Sequence, residues 1–148
     1  MTTRAPWATD WLARRETLSP NKIALIDTLR GGRAITYREW NRAANRTARL
    51  LAGLGVGKGD RVAVLATNCV EYLDLWFACG KIGAILQTLN WRLAPAELAG
   101  LVADAEPRVF IAAASFAEAA QRILASANSP ARPIILGSEF DGLRDAQP

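Results

Sequence analysis

Residues 61–89, RVAVLATNCVEYLDLWFACGKIGAILQTL, decide the fold. Arg61-Val62-Ala63-Val64-Leu65-Ala66 is a short apolar run, the pattern of a strand covered on both faces. Val70 to Ile82 follows as a helix that is apolar almost all round, through Tyr72, Leu73, Leu75, Trp76, Phe77, Ala78, Cys79 and Ile82. Such a helix is expected to be buried on several sides. Asn68 with Glu71 reads as its N-terminal cap and Gly83 as its stop. Ala84-Ile85-Leu86-Gln87-Thr88-Leu89 is the next strand.

The alternation continues toward the C-terminus. Pro95 suits the first position of a helix whose buried face is Leu98, Leu101, Val102 and Ala105, and Pro107 stops it. Arg108-Val109-Phe110-Ile111-Ala112 is a strand. Ser115 with Glu118 reads as a capping box for a helix that turns Ala119, Ala120, Ile123 and Leu124 inward. Pro133-Ile134-Ile135-Leu136 is the last strand, and Gly137 to Pro148 shows no pattern. Alternating strands and helices predict an α/β fold: a parallel sheet with helices on both faces and right-handed crossovers.

Toward the N-terminus the pattern changes. Trp7, Trp11, Leu12 and Arg15 fall at helical spacing, so a short helix is expected from Trp7 to about Thr17. Ile23-Ala24-Leu25-Ile26, a turn at Arg30-Gly31-Gly32-Arg33 and Ala34-Ile35-Thr36 predict an N-terminal β-hairpin. Thr36 and Glu39 form a capping box, and Trp40, Ala44, Thr47, Leu51 and Leu54 mark one apolar stripe of the helix it opens. Arg38, Arg42, Arg46 and Arg49 lie on the other side and read as a solvated face rather than a phosphate-binding one.

Composition bounds the chemistry. The chain has 148 residues, 18 basic and 14 acidic, a net charge of +4, no histidine and two cysteines. One domain of this length buries roughly 68–70% of the surface its unfolded chain exposes. The charge is uneven: residues 1–60 carry 11 basic and 5 acidic side chains, residues 61–148 carry 7 and 9. No aromatic-interleaved basic run accompanies it, so nucleic acid is not expected as a partner. Without histidine there is no Ser-His-Asp triad, Cys-His pair or His-ligated metal, and two cysteines cannot build a four-cysteine zinc site. Cys69 and Cys79 lie about 15 Å apart along one helix, beyond disulfide reach, and read as core residues of a reducing cytosol. The longest uncharged run, Ile82 to Trp91, is 10 residues. A membrane span needs about 20, and the N-terminus lacks a signal-peptide core, so a soluble cytoplasmic protein is expected.

The chemical motifs do not close on a site. Gly53-Leu54-Gly55-Val56-Gly57-Lys58-Gly59 resembles a phosphate loop, but Ala52 and Gly59 stand where glycine and Ser or Thr are required. Lys58 takes the place of the third glycine of a dinucleotide fingerprint. The run also follows a helix and precedes a strand, the reverse of a phosphate cradle, and reads as a helix end and turn. A nicotinamide-binding protein is disfavoured for the same reason. Glu71 and Asp74 share one helical side, yet neither a nucleophile nor an oxyanion hole accompanies them; a capping role and a solvent or partner contact are expected. Asp104 and Glu106 mark a helix end, Ser19 and Ser115 lack a base, and Lys81 suits a helix C-terminus. No catalytic, cofactor-binding or metal-binding residue is assigned.

Five consecutive segments add a resemblance. They are Gly32-Arg33-Ala34-Ile35-Thr36-Tyr37-Arg38-Glu39-Trp40, Leu54-Gly55-Val56-Gly57-Lys58-Gly59-Asp60-Arg61-Val62-Ala63, Asn68-Cys69-Val70-Glu71-Tyr72, Lys81-Ile82-Gly83-Ala84-Ile85, and Leu89-Asn90-Trp91-Arg92-Leu93 with Glu97-Leu98. In this order they resemble the beginning of an AMP-forming acyl-CoA synthetase of the adenylate-forming superfamily, from about Trp11 to Ile111. The resemblance implies a two-step reaction: a carboxylic acid attacks Mg-ATP to give an acyl-adenylate, and CoA displaces AMP. ATP, magnesium and CoA are therefore implied for the full-length family. Its Ser/Thr/Gly-rich loop ending in Pro-Lys-Gly and its C-terminal lysine domain have no counterpart in residues 1–148. The chain is thus expected to be the N-terminal part of the AMP-binding domain, a scaffold inactive alone. Its partner would be the remainder of the ligase, or a second copy through exposed apolar surface. The alternative is a stand-alone, non-catalytic α/β binding or interaction module. Arg92 is the one polar candidate near a cleft, with a strand-to-helix structural role equally open.

Overall fold

The computed structural model describes residues 10–148. Asp10 caps α1 (Trp11–Leu18), its carboxylate accepting the Ala13 N–H at 2.9 Å. Trp7, where the first helix was expected to begin, lies outside the described residues. β1 (Ile23–Asp27) and β2 (Arg33–Thr36) form the antiparallel hairpin, joined through a 3₁₀ turn at Thr28–Arg30 and two left-handed glycines, Gly31 and Gly32. α2 (Tyr37–Gly53) opens with the expected capping box: Glu39 N–H donates to Thr36 Oγ1 at 3.3 Å, and Thr36 N–H to Glu39 Oε2 at 2.8 Å. It buries Trp40, Ala44, Thr47 and Leu51; Leu54 lies one residue beyond its end and stays exposed.

β3 (Arg61–Leu65), β4 (Ile85–Thr88), β5 (Val109–Ala113) and β6 (Pro133–Leu136) make a wholly parallel four-stranded sheet in the order β4-β3-β5-β6. Each strand-to-strand connection carries a helix: α3 (Val70–Ile82), α4 (Pro95–Ala105) and α5 (Ala117–Ser126). Val62 stands opposite Leu86 on one side and Val109 on the other, so β3 is covered along both edges. Alternation then sorts the side chains between two layers. Val62, Val64 and Ile111 meet α2, α3 and Phe140; Ala63, Leu65, Phe110 and Ala112 meet Leu98 and Val102 of α4 and Ile123 and Leu124 of α5. A smaller cluster of Leu12, Ile35, Trp40 and Ala44 fastens α1 and the hairpin to α2. Gly83 ends α3 at φ 74°, a conformation that a Cβ would strain while also lying 3.1 Å from Lys58 Cγ.

Four local expectations are corrected. The N-cap of α3 is Cys69, which makes no side-chain cap; Asn68 lies one residue too early to cap the helix, and Glu71 pairs with Arg30. Ser115 sits inside a 3₁₀ turn (Ala114–Phe116) and does not cap α5, while Glu118 pairs with Arg122 on the surface. On α4 the buried face is Leu98, Ala99 and Val102, leaving Leu101 exposed beside it. Gly137 to Pro148 is not patternless: Ser138–Asp145 forms α6, anchored by Phe140, which is fully buried against α2 and α3.

Candidate functional site

The polar chemistry gathers on α3, in an arrangement that inverts the usual one. Glu71 and Asp74 are 3% and 1% exposed, whereas Leu73 and Trp76 of the same helix are 40% and 60% exposed. The two carboxylates were expected to meet solvent or a partner; instead they lie under the hairpin, α2 and α6. A cavity of about 350 Å³ opens onto them, rimmed by Arg30, Arg33, Arg42 and Arg46. Arg30 Nη2 contacts Glu71 Oε1 as an ion pair without hydrogen-bond geometry. Asp74 is held more loosely, with Arg144 Nη1 3.9 Å away. That guanidinium is nearer to Asp141, at 3.1 Å, and to Asp145, at 2.9 Å.

The energetics follow from this sharing. A buried charge is costly unless it is paired and hydrogen-bonded. Asp74 Oδ1 and the indole Nε1 of Trp40 beside it have no hydrogen-bond partner. Burial therefore raises the Asp74 carboxyl to about 7; Arg144 opposes the rise, and the charge of Glu71 adds to it. Asp145 moves the other way, lowered by its hydrogen bond to Arg144. Sequence reasoning placed Glu71 and Asp74 together on one helical side and missed both arginine partners, which come from the hairpin turn and from α6.

Other singled-out residues have structural roles. Lys81 does more than face a helix end: its ammonium donates to Asp10 at 2.6 Å and to Asn41 at 2.7 Å, and Asn41 donates to Glu16, tying α1 to α2 and α3. Arg38, Arg42, Arg46 and Arg49 are exposed, as expected. Arg46 stands 3.8 Å from Asp145, and Arg49 donates to the Pro148 carbonyl. Burial holds the thiols protonated, Cys69 at about 11 and Cys79 at about 12, and both are free.

The carboxyl ends of parallel strands are where open α/β sheets place ligands. After β3, Asn68, Cys69 and Tyr72 face Leu25, Ile26 and Leu29 of the hairpin across a cavity of about 330 Å³. After β4, the Asn90 side chain accepts the Arg92 N–H at 3.1 Å, and the Arg92 guanidinium lies 4.4 Å from the Trp91 ring centre. Trp91 in turn sits 6.1 Å from Phe116, which follows β5. Arg92 thus braces an aromatic pair at this edge.

The glycine run does not fit a triphosphate. It joins the end of α2 to the start of β3, and three of its glycine N–H groups are already used. Gly55 donates to Ala52 at 2.9 Å, Gly57 to Asp60 Oδ2 at 2.8 Å and Gly59 to Gly83 at 2.9 Å. After β6, the first turn of α6 carries Glu139 and Asp141, which repel an anion. Among the described residues, no group of three or more His, Cys, Asp or Glu side chains could hold a metal ion, and no helix is long and apolar enough to cross a membrane.

Solved acyl- and aryl-CoA ligases share this arrangement. The fatty acyl CoA synthetase of Mycobacterium tuberculosis superposes with a TM-score of 0.86 at 31% identity, covering 97% of this chain and 29% of that one. The anthranilate CoA ligase AuaEII, solved with anthranoyl-AMP, does so with a TM-score of 0.86 at 29% identity, covering 95% and 27%. The architecture is therefore that of the N-terminal domain of adenylate-forming ligases. In sequence, the long-chain-fatty-acid–CoA ligase FadD13 of Mycobacterium tuberculosis strain H37Rv is 38% identical over 121 residues, which is 81% of this chain and 24% of that protein. The chain belongs to the AMP-binding enzyme family, whose match runs over residues 12–147. It spans about a quarter of the length of the relatives it matches.

Proposed function

We propose that the chain serves as the N-terminal scaffold of an AMP-forming acyl-CoA ligase, which as a complete enzyme activates a carboxylic acid with magnesium-bound ATP and passes it to CoA. The family match over residues 12–147 carries the proposal. Both fatty-acid and aryl-acid ligases are among the similar proteins, so the acid is written as a class. A cytoplasmic setting goes with this proposal, and two unpaired, protonated thiols are consistent with it.

In this role the chain's own residues orient and support rather than react. The sheet fixes the carboxyl-end loops, and Arg92 and Trp91 brace one of them. The exposed apolar face made by Ile26 and Leu29 of the hairpin with Leu73 and Trp76 of α3 packs against the remaining three-quarters of the ligase. On this account the isolated chain is silent, because the Ser/Thr/Gly-rich loop and the lysine that the family resemblance calls for have no counterpart in residues 1–148. The test is a chimera in which residues 12–147 replace the matching quarter of FadD13. Fatty-acid- and CoA-dependent pyrophosphate release is expected from the chimera and not from the isolated chain. Release by the isolated chain would sink the proposal. So would a folded chimera without release that a second chimera, with the carboxyl-end loops of FadD13 restored, fails to rescue.

A further inference from the structure

Asp74 is a deeply buried carboxylate that is poorly matched by its surroundings, and the mismatch points to a device. Asp74 on α3 is faced by Glu71 from its own helix, by Arg144, Asp141 and Asp145 from α6, and by the indole of Trp40 from α2. Arg30 from the hairpin turn is taken by Glu71, with Asp27 4.0 Å away, and Arg46 of α2 faces Asp145. Among the described residues Arg144 is the one cation within 4.0 Å of Asp74, and Arg33, Arg42 and Glu39 line the cavity that opens onto it. Asp74 is the deepest of these carboxylates, has an oxygen without a hydrogen-bond partner, and lies 3.9 Å from Arg144.

We propose that Asp74 is a proton-operated latch for α6: with a proton on its carboxyl the helix is docked, and loss of the proton loosens α6 while the sheet stays folded. This goes beyond the ligase reading and does not depend on it. The physical chain is short. α6 is held by one buried aromatic, Phe140, by the Arg144 cluster, by the Glu139 carboxylate that accepts the Ile135 N–H at 2.8 Å, and by the exposed contacts of Arg46 and Arg49. Undocking α6 uncovers Asp74 and lets water solvate its charge, so ionisation favours the open form. The sign follows from linkage. The docked-state value, about 7, lies above the solvated value of 3.8. The stabilisation is therefore complete below 3.8 and lost as pH rises through about 7.

The test uses the 148-residue chain and hydrogen exchange corrected for intrinsic rates. Between about pH 6 and about pH 8, one such proton changes the opening equilibrium about tenfold. Amides of residues 138–146 are expected to lose that much protection, those of β3 and β5 are not, and Asp74→Asn is expected to abolish the loss. Equal protection of α6 at both pH values, or an equal fall across the sheet, would overturn the proposal. A second measurement stands whether or not the variant folds: the ¹³C signal of the Asp74 carboxyl should titrate near neutrality. A midpoint in the ordinary carboxylate range would overturn it.

Discussion

The two layers that cover the sheet are built on different principles. α4 and α5 close their side with Leu98, Val102, Ile123 and Leu124 against Phe110 and Leu65, and no buried charge intervenes. α2, α3 and α6 close the other with Leu51, Leu75 and Phe140, but they also bury Glu71, Asp74 and Asn41 and leave Trp76 in water. The first layer is stabilised by apolar area, which is indifferent to pH. The second adds to its apolar cluster buried ion pairs whose desolvation cost nearly offsets their attraction, so part of its stability follows protonation. A substitution should therefore reveal its layer by how its effect varies with pH.

The largest effect belongs to the apolar layer. Phe110 is fully buried at the sheet centre, and Phe110→Ala is expected to cost about 3–5 kcal/mol, by the transfer of the lost ring and the cavity it leaves. Urea unfolding should show the same loss at about pH 5.5 and at about pH 8. A loss that changes markedly with pH would remove the distinction between the layers.

Arg144→Ala comes next and tests the other side. At about pH 8 it should cost about 2–4 kcal/mol, because an ionised, buried Asp74 loses its cation. At about pH 5 the cost should be smaller, since Asp74 already holds a proton below its value of about 7. Urea midpoints of the variant and the parent at the two pH values measure this difference. A penalty that does not grow with pH would mean that Arg144 acts only through Asp141 and Asp145.

The same contrast explains what was legible in the sequence. The sheet, its helices and the capping box at Thr36 and Glu39 are written in local patterns: apolar runs, spacing and glycine stops. The parallel order follows because each connection contains a helix. α6 is not so written, since only Phe140 of its residues is deeply buried and Leu143 faces water. The burial of Glu71 and Asp74 was illegible for a related reason. Their partners, Arg30 and Arg144, sit in a hairpin turn and in that unrecognised helix, far away in the chain. Helical spacing says that two carboxylates share a side; it does not say which side is covered. Likewise, the nearly all-apolar α3 was expected to be buried on several sides; its Leu75, Ala78 and Cys79 are buried along with Glu71 and Asp74, while Leu73 and Trp76 stay exposed because none of the chain's described elements covers them.

The smallest expected effect lies where the layers are indistinguishable. The Thr36–Glu39 capping box sits on the exposed start of α2, away from both cores. Thr36→Ala removes the acceptor for the Glu39 N–H and should cost about 1 kcal/mol. The Glu39 carboxyl is lowered first by the Thr36 backbone N–H and then by its hydroxyl. A lowered acid stabilises the fold above its unfolded value and loses that contribution as pH falls through the folded one. Removing the hydroxyl leaves the backbone donor in place, so part of the acid-side dependence should survive in Thr36→Ala and vanish in Glu39→Gln. Thermal unfolding of the two variants from neutral pH down into the carboxylate range separates these outcomes. If both lost the dependence equally, the hydroxyl would be the dominant partner and the backbone bond would contribute little.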